Sequence, residues 1–258
     1  MSGSISKNPP GAAASPNKDA ATGLKTICVA GITPFTTIDF PGRLAGVFYL
    51  QGCLWRCRYC YNSEFWPMPS SQGGPLVPLE KILHFLDSRK GHLDGIVFSG
   101  GEPTVHPELG MWMKTVRDRG YEVGLHTNGM FPDRLASVLP LCRWVGMDIK
   151  APFAKYEKVT GVKASGEAPR KSAEALIASG VPYEFRTTVH PVILPENEIL
   201  ESAIELAAMG AKNYVLQAFR GEHCPDKELR DVVVQGSGIS ANLRQTLKGM
   251  FPSFQVRE

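Results

Sequence analysis

Apolar residues along this chain fall into two alternating patterns. Short, nearly unbroken apolar runs recur at 45–50, 95–98, 122–125, 143–149, 183–189 and 213–217. A run that is apolar throughout is what a strand buried on both faces presents. Between the runs lie 79–88, 108–119, 132–139, 168–179 and 196–209, where apolar positions return every three or four residues, as on an amphipathic helix. A late helix is expected near 240–248. Strands alternating with helices imply parallel pairing through right-handed crossovers. About six such units fit an α/β fold of the partial (β/α) barrel type, with a doubly wound open sheet as the rival. No internal repeat of fixed period is visible.

Composition refines this picture only modestly. Residues 1–23 are rich in Ser, Pro, Gly, Ala, Asn and Lys and contain almost no large apolar side chains, so they read as a disordered leader before one domain at 24–258. The chain has 258 residues, 43% of them hydrophobic, which is room for one large core. A formal net charge of +3 gives no ground for a nucleic-acid partner. No apolar run reaches the roughly 20 residues that a membrane helix needs, and no basic-then-apolar signal opens the sequence. The expected location is therefore the cytoplasm, where thiols stay reduced. Six cysteines in such a compartment are ligands, reactive groups or packing rather than disulfides.

Either architecture gathers ligands at the C-terminal ends of its strands. Unusual residues should therefore follow the strands, and they do. Three cysteines follow the first strand, and Ser99-Gly100-Gly101-Glu102-Pro103-Thr104 follows the second. His126-Thr127-Asn128-Gly129 follows the third, and the fourth ends at Asp148-Ile149-Lys150. The fifth carries Arg186 and runs into His190-Pro191.

The stretch GCLWRCRYCYN at 52–62 places Cys53, Cys57 and Cys60 within eight residues. Thiolates are soft ligands for iron–sulfur clusters or zinc. Structural zinc uses four protein ligands, commonly in paired knuckles, and no second pair follows here. Three ligands on a four-iron cube leave one iron with an open position, the mark of a catalytic metal site. The bland alternatives are buried thiols, or a zinc knuckle completed by a histidine. Cys28 and Cys142 lie in or beside apolar strands and read as core fillers, while Cys224 reads as an idle thiol in a polar loop.

Cysteines spaced three residues apart and then two, with Tyr59 before the last, resemble the signature of the radical S-adenosylmethionine (radical SAM) superfamily, and Gly100-Gly101-Glu102-Pro103 resembles its second motif. The resemblance covers nearly the whole chain after Gly23. It implies that Cys53, Cys57 and Cys60 ligate one 4Fe–4S cluster whose fourth iron binds the amine and carboxylate of S-adenosylmethionine. One electron then cleaves the sulfonium, and the resulting 5′-deoxyadenosyl radical abstracts a hydrogen atom from the substrate. It also implies that Tyr59 lies near the adenine and that Gly100, Gly101 and Glu102 meet the methionine amine. Thr127, Asn128, Asp148, Lys150 and Arg186 stand at strand ends where the family holds the ribose and the methionine carboxylate. The structural alternative for each is a turn, a packed ring or a solvated rim. His126 and His190 read as structural histidines.

The stretch TTIDFPGR at 36–43, the Gln51-Gly52-Cys53 junction and CRYCYN at 57–62 resemble the activating enzymes of glycyl-radical proteins. The best whole-chain resemblance is to the longer group of anaerobic ribonucleoside-triphosphate reductase activating proteins, carried also by 144–152 and 216–220. It implies abstraction of hydrogen from a glycine Cα of a partner reductase in a transient complex. The electron would come from a low-potential donor such as flavodoxin or ferredoxin. Arg43, Trp55, Arg56 and Arg58 near the cluster are candidate docking residues for that partner, although solvated arginines are the default reading. Two departures matter. His126 stands where pyruvate formate-lyase activating enzymes carry an Asp of a monovalent-cation site, so that site is not carried over. No cysteine-rich insert is present, so one cluster is expected. The rival functions are a radical SAM enzyme acting on a different protein or peptide and a non-catalytic iron–sulfur or zinc module.

Overall fold

The computed structural model describes residues 27–69, 76–232 and 238–257. The leader expected at 1–23 lies outside the described residues. In chain order the principal elements are β1 (Val29–Thr36), β2 (Ala45–Leu50), α1 (Leu79–Ser88), β3 (Gly95–Gly100), α2 (Leu109–Asp118), β4 (Glu122–Thr127), α3 (Pro132–Val138), β5 (Trp144–Asp148), α4 (Glu157–Thr160), α5 (Glu167–Ser179), β6 (Tyr183–Val189), α6 (Glu196–Ala208), β7 (Asn213–Ala218), α7 (Lys227–Arg230), α8 (Ala241–Met250) and β8 (Ser253–Arg257).

Among the described residues, eight strands form one sheet, in the order β1 through β8. Strands β2 to β8 pair in parallel, each with its sequence neighbour, while β1 lies antiparallel against β2. A doubly wound sheet needs a point where strand order reverses. The strand order shows none, so the rival is set aside in favour of the partial barrel. The six expected strands are all present, and two more flank them. β1 escapes the periodicity because Gly31 and Pro34 interrupt it and its pairing carries two register irregularities. β8 is a five-residue strand with no fully buried position.

The central strands are buried on both faces, and two clusters show how. Phe48, Leu50, Ile96, Phe98 and Val123 pack under the helices with Ile82 and Leu86 of α1, Trp112 and Val116 of α2, and Leu206 of α6. The alternate positions Ala45, Val47, Val97 and Trp144 face the barrel interior, where they close around Phe40. Phe40 comes from the β1–β2 connection rather than from a strand. Its ring stacks on Trp144 at 6.1 Å, in space left by Gly95 and Gly124. The lower half of the barrel is thus filled, and the strand C-termini form the rim of an open upper half.

Candidate active site

The upper half holds a cleft of about 790 Å³. Its wall brings together eleven of the twelve residues singled out from the sequence: Cys53, Cys57, Cys60, Tyr59, Gly100, Gly101, Thr127, Asn128, Asp148, Lys150 and Arg186. The twelfth, Glu102, is fully buried behind that wall.

The cysteine loop leaves the end of β2 and crosses the top of the barrel. Backbone bonds anchor it: Gly52 N–H donates to Phe65 O at 2.7 Å and Cys53 N–H to Trp66 O at 3.1 Å. Cys53 and Cys57 are each 6% exposed and Cys60 is half-buried. Burial pushes the Cys53 thiol up to about 12 and the Cys57 thiol to about 11, and it raises Cys60 as well. Lys150 opposes all three shifts. These thiols are therefore harder to ionise than an ordinary cysteine until a metal centre takes the charge. Burial works against the Lys150 ammonium too, but Cys57, Tyr59 and Asp148 overcome it and hold its pKa well above that of ordinary lysine. Its Nζ lies 5.7 Å from the centre of the Tyr59 ring and 3.5 Å from Asp148 Oδ2.

Asp148 and Arg186 form the opposite wall. Arg186 Nε donates to Asp148 Oδ1 at 2.9 Å, and its Nη2 reaches Gly146 O at 3.3 Å. Burial would raise Asp148, but Arg186 and Lys150 outweigh it and hold the carboxyl below the usual range. His126 donates from Nε2 to Asp39 O at 3.0 Å, which leaves Nδ1 to accept from Ser99 Oγ at 3.3 Å. Burial and then Arg186 lower His126 to about 4, so it is a neutral structural ring at the cleft wall. His190 is likewise structural, fully buried with Nε2 donating to Leu229 O at 3.0 Å.

The Gly-Gly pair has a backbone reason for being there. A Cβ on Gly100, whose φ is +104°, would lie 2.4 Å from Leu50 N, and one on Gly101 would lie 2.4 Å from Gly52 O. Only glycines let the end of β3 nest against the start of the cysteine loop. Gly101 N–H donates to Leu50 O and Glu102 N–H to Gly52 O, both at 2.9 Å. The Glu102 carboxylate turns away from the cleft. It accepts Asn128 N–H at 2.7 Å and Thr127 Oγ1–H at 2.7 Å, and also takes Thr104 N–H and Oγ1–H. Glu102 therefore holds strand ends together. Thr127 Oγ1 also accepts Gly129 N–H, and Asn128 reaches Cys53, its Nδ2 lying 3.9 Å from the sulfur.

The candidate docking residues are otherwise engaged. Arg43 pairs with Glu122 at the far end of the barrel, below the strand N-termini. Arg56 donates to Cys53 O and Trp55 O and lies over Trp66. Trp55 is buried edge-on against Tyr156, and Arg58 pairs with Asp226 at 2.6 Å. Cys28 and Cys142 are half-buried, and Cys224, expected in an open polar loop, is buried beneath Arg58.

Tyr49, Trp66, Thr188 and Arg257 also line the cleft and were not singled out from the sequence, while Thr37, Ile38, Asp39, Ser99 and Gln217 entered only within longer stretches, with no role of their own. Several were within reach of period-two counting. Ser99 lies two beyond the interior Val97, and Thr188 lies two beyond Arg186.

The donor set fits an iron–sulfur cluster. Three soft thiols border one cleft, beside a buried cation that suits an anionic centre. Among the described residues no three His, Cys, Asp or Glu side chains are placed to hold a single metal ion. A cube carries one thiolate per iron, so its ligands stand farther apart than those of one ion.

A parallel barrel whose mouth carries a three-thiol loop is the architecture of radical enzymes built on an iron–sulfur cluster. The model of the radical SAM superfamily matches residues 47–207, and this chain belongs to that superfamily. It is 29% identical over 209 residues to a Methanocaldococcus jannaschii protein named as a glycyl-radical enzyme activating enzyme, across 78% of this chain and 84% of that protein. It is 33% identical over 101 residues to the pyruvate formate-lyase 1-activating enzyme of Escherichia coli (strain K12), across 36% of this chain and 38% of that one. This chain thus spans little more than a third of that relative's length. Streptococcus suis SuiB bound to precursor peptide SuiA overlays with a TM-score of 0.59 at 12% identity, over 82% of this chain and 48% of that chain, a likeness of fold.

Proposed function

We propose that this chain is an activating enzyme that reductively cleaves S-adenosylmethionine and installs a glycyl radical on an anaerobic ribonucleoside-triphosphate reductase. The observation that carries the reading is the convergence of Cys53, Cys57 and Cys60 on one cleft with Gly100, Gly101 and Lys150. The similarity to glycyl-radical activating enzymes supports the type of client. The reductase itself rests on the resemblance of 36–43, 144–152 and 216–220 to that group.

When bound, one 4Fe–4S cluster and S-adenosylmethionine supply the one-electron cleavage and the hydrogen-abstracting radical. The protein's own residues bind and orient. Cys53, Cys57 and Cys60 hold the cluster, and Lys150 compensates its charge. Tyr59 offers a buried aromatic wall for the adenine. Gly100 and Gly101 expose backbone for the methionine amine, with Glu102 fixing their geometry from behind. Thr127, Asn128, Asp148 and Arg186 border the space for ribose and carboxylate. Phe40 fills the barrel interior below, with Val47, Val97 and Trp144. The cleft opens upward, so the client's glycine segment enters from the strand C-termini. The electron comes from a low-potential donor such as flavodoxin or ferredoxin. Among the described residues no helix is long and apolar enough to cross a membrane. We place the reaction in the cytoplasm, in a transient complex.

The test is anaerobic reconstitution, with chromatography for 5′-deoxyadenosine and EPR of the mixture with the reductase. The expected result is reductive cleavage and a glycyl doublet on the reductase. Cleavage with a doublet only on another glycyl-radical protein overturns the client. An intact cluster without cleavage overturns the enzyme reading in favour of a redox-sensing module.

A further inference from the structure

The loop that carries the three thiols is gripped from two sides, and the second grip has no counterpart in the family signature. On one side the loop backbone bonds to the α4 turn: Arg56 N–H donates to Thr160 O and Arg58 N–H to Val159 O, both at 3.1 Å. On the other side lies the segment that follows β7. Arg58 Nε donates to Asp226 Oδ2 at 2.6 Å across 168 residues of sequence. The Cys224 thiol donates to Arg58 O at 3.3 Å, and Ser63 Oγ donates to His223 O at 3.3 Å. The Tyr61 and His223 rings meet edge to face at 4.8 Å.

This second grip is itself firmly held. The other carboxylate oxygen of Asp226 accepts Glu228 N–H at 3.0 Å and Leu229 N–H at 3.4 Å, capping α7. Leu229 is fully buried, and its carbonyl accepts Nε2–H of the fully buried His190 at the end of β6. A rigid line therefore runs from β6 through His190 and α7 to Asp226, and from there to Arg58. Arg58 stands between Cys57 and Cys60. The Asp226 side chain is 18% exposed and that of Arg58 41%, so solvent screens the pair in part, while a charge-assisted bond of this length keeps its direction.

We propose that Asp226 is a positioning residue for Cys57 and Cys60: acting through Arg58, it holds the turn that carries these thiols in its ligating conformation before a cluster arrives. The proposal rests on reading the three-thiol loop as a cluster site, and its first test does not need the cluster.

Asp226→Asn keeps the α7 cap, because Asn caps as well as Asp, and removes the ion pair with Arg58 Nε, leaving Arg58 only its longer, exposed contact with Glu228 at 3.4 Å. In apo-protein, hydrogen–deuterium exchange of 53–61 should quicken about three- to tenfold while β2, β3 and β6 exchange as in wild type. In anaerobically reconstituted protein, a chelator should strip iron faster by a similar factor. Asp226→Glu should restore much of both. Arg58→Gln is the second variant, which leaves α7 untouched and must loosen the same residues. Wild-type exchange in 53–61 for both variants overturns the proposal, as does loosening confined to α7. Should the loop loosen as expected in a protein that takes up no cluster, the site reading fails while the positioning role stands.

Discussion

The Glu102 carboxylate, fully buried, accepts the backbone N–H of Asn128 at 2.7 Å and so ties the end of β3 to the end of β4 directly behind the cleft. Burial raises its pKa, while the bonds from Asn128, Thr104 and Thr127 pull the other way. Glu102→Gln turns an amide donor toward the backbone N–H of Asn128 or that of Thr104, neither of which can accept. Leaving one of them unsatisfied costs about 2–3 kcal/mol, a fall in Tm of roughly 5–10 °C in a scanning calorimeter. Because Asn128 also touches Cys53, the same variant should weaken S-adenosylmethionine binding measured by titration.

Lys150 is a buried cation that pulls the Cys57 and Cys60 pKa values down against the effect of burial. Lys150→Met removes that influence. Alkylation of apo-protein by iodoacetamide should slow at Cys57 and Cys60 by roughly three- to tenfold at pH 8, read by mass spectrometry. Cluster assembly should need a higher pH, because fewer thiolates are on offer.

His126 supplies a pH dependence with a definite sign. Its pKa is about 4 in the fold against an ordinary 6.5. Above pH 6.5 the ring is neutral in both states and its hydrogen bonds to Asp39 and Ser99 stand. As pH falls from 6.5 toward 4 the unfolded chain takes up a proton that the folded one refuses, so stability drops, by about 2 kcal/mol at pH 5. Urea midpoints at pH 7.5, 6.0 and 5.0 should fall in that order, and His126→Gln should flatten the slope.

The ligand assignment is tested by contrast. Cys57→Ala should abolish the 4Fe–4S absorbance of reconstituted protein together with cofactor cleavage. Cys224→Ala should leave the absorbance and the cleavage in place, since Cys224 does not line the cleft, although the loop loses one weak hydrogen bond to Arg58 O. Loss of the cluster in the second variant would show that the ligands are misassigned.

Much of the architecture was legible because strands buried on both faces write unbroken apolar runs. The bounds 45–50, 79–88 and 183–189 match β2, α1 and β6 residue for residue. The strand-end rule then collected most of the cleft. What stayed hidden depends on tertiary contact. Glu102 looks like any acidic strand-end residue until Thr104, Thr127 and Asn128 are seen converging on it. Asp226 sits in a polar stretch with no periodicity and acts across 168 residues. β1 was hidden by Gly31 and Pro34, and its pairing with β2 becomes visible only when the sheet is assembled.

The interior aromatic Phe40 sets a limit of a different kind. It reaches the barrel interior from a connection, yet it packs there with Ala45, Val47, Val97 and Trp144 of the strands. The filling of the lower barrel is therefore shared between the sheet and a segment outside it. That segment can exchange its ring while every strand register stays as it is.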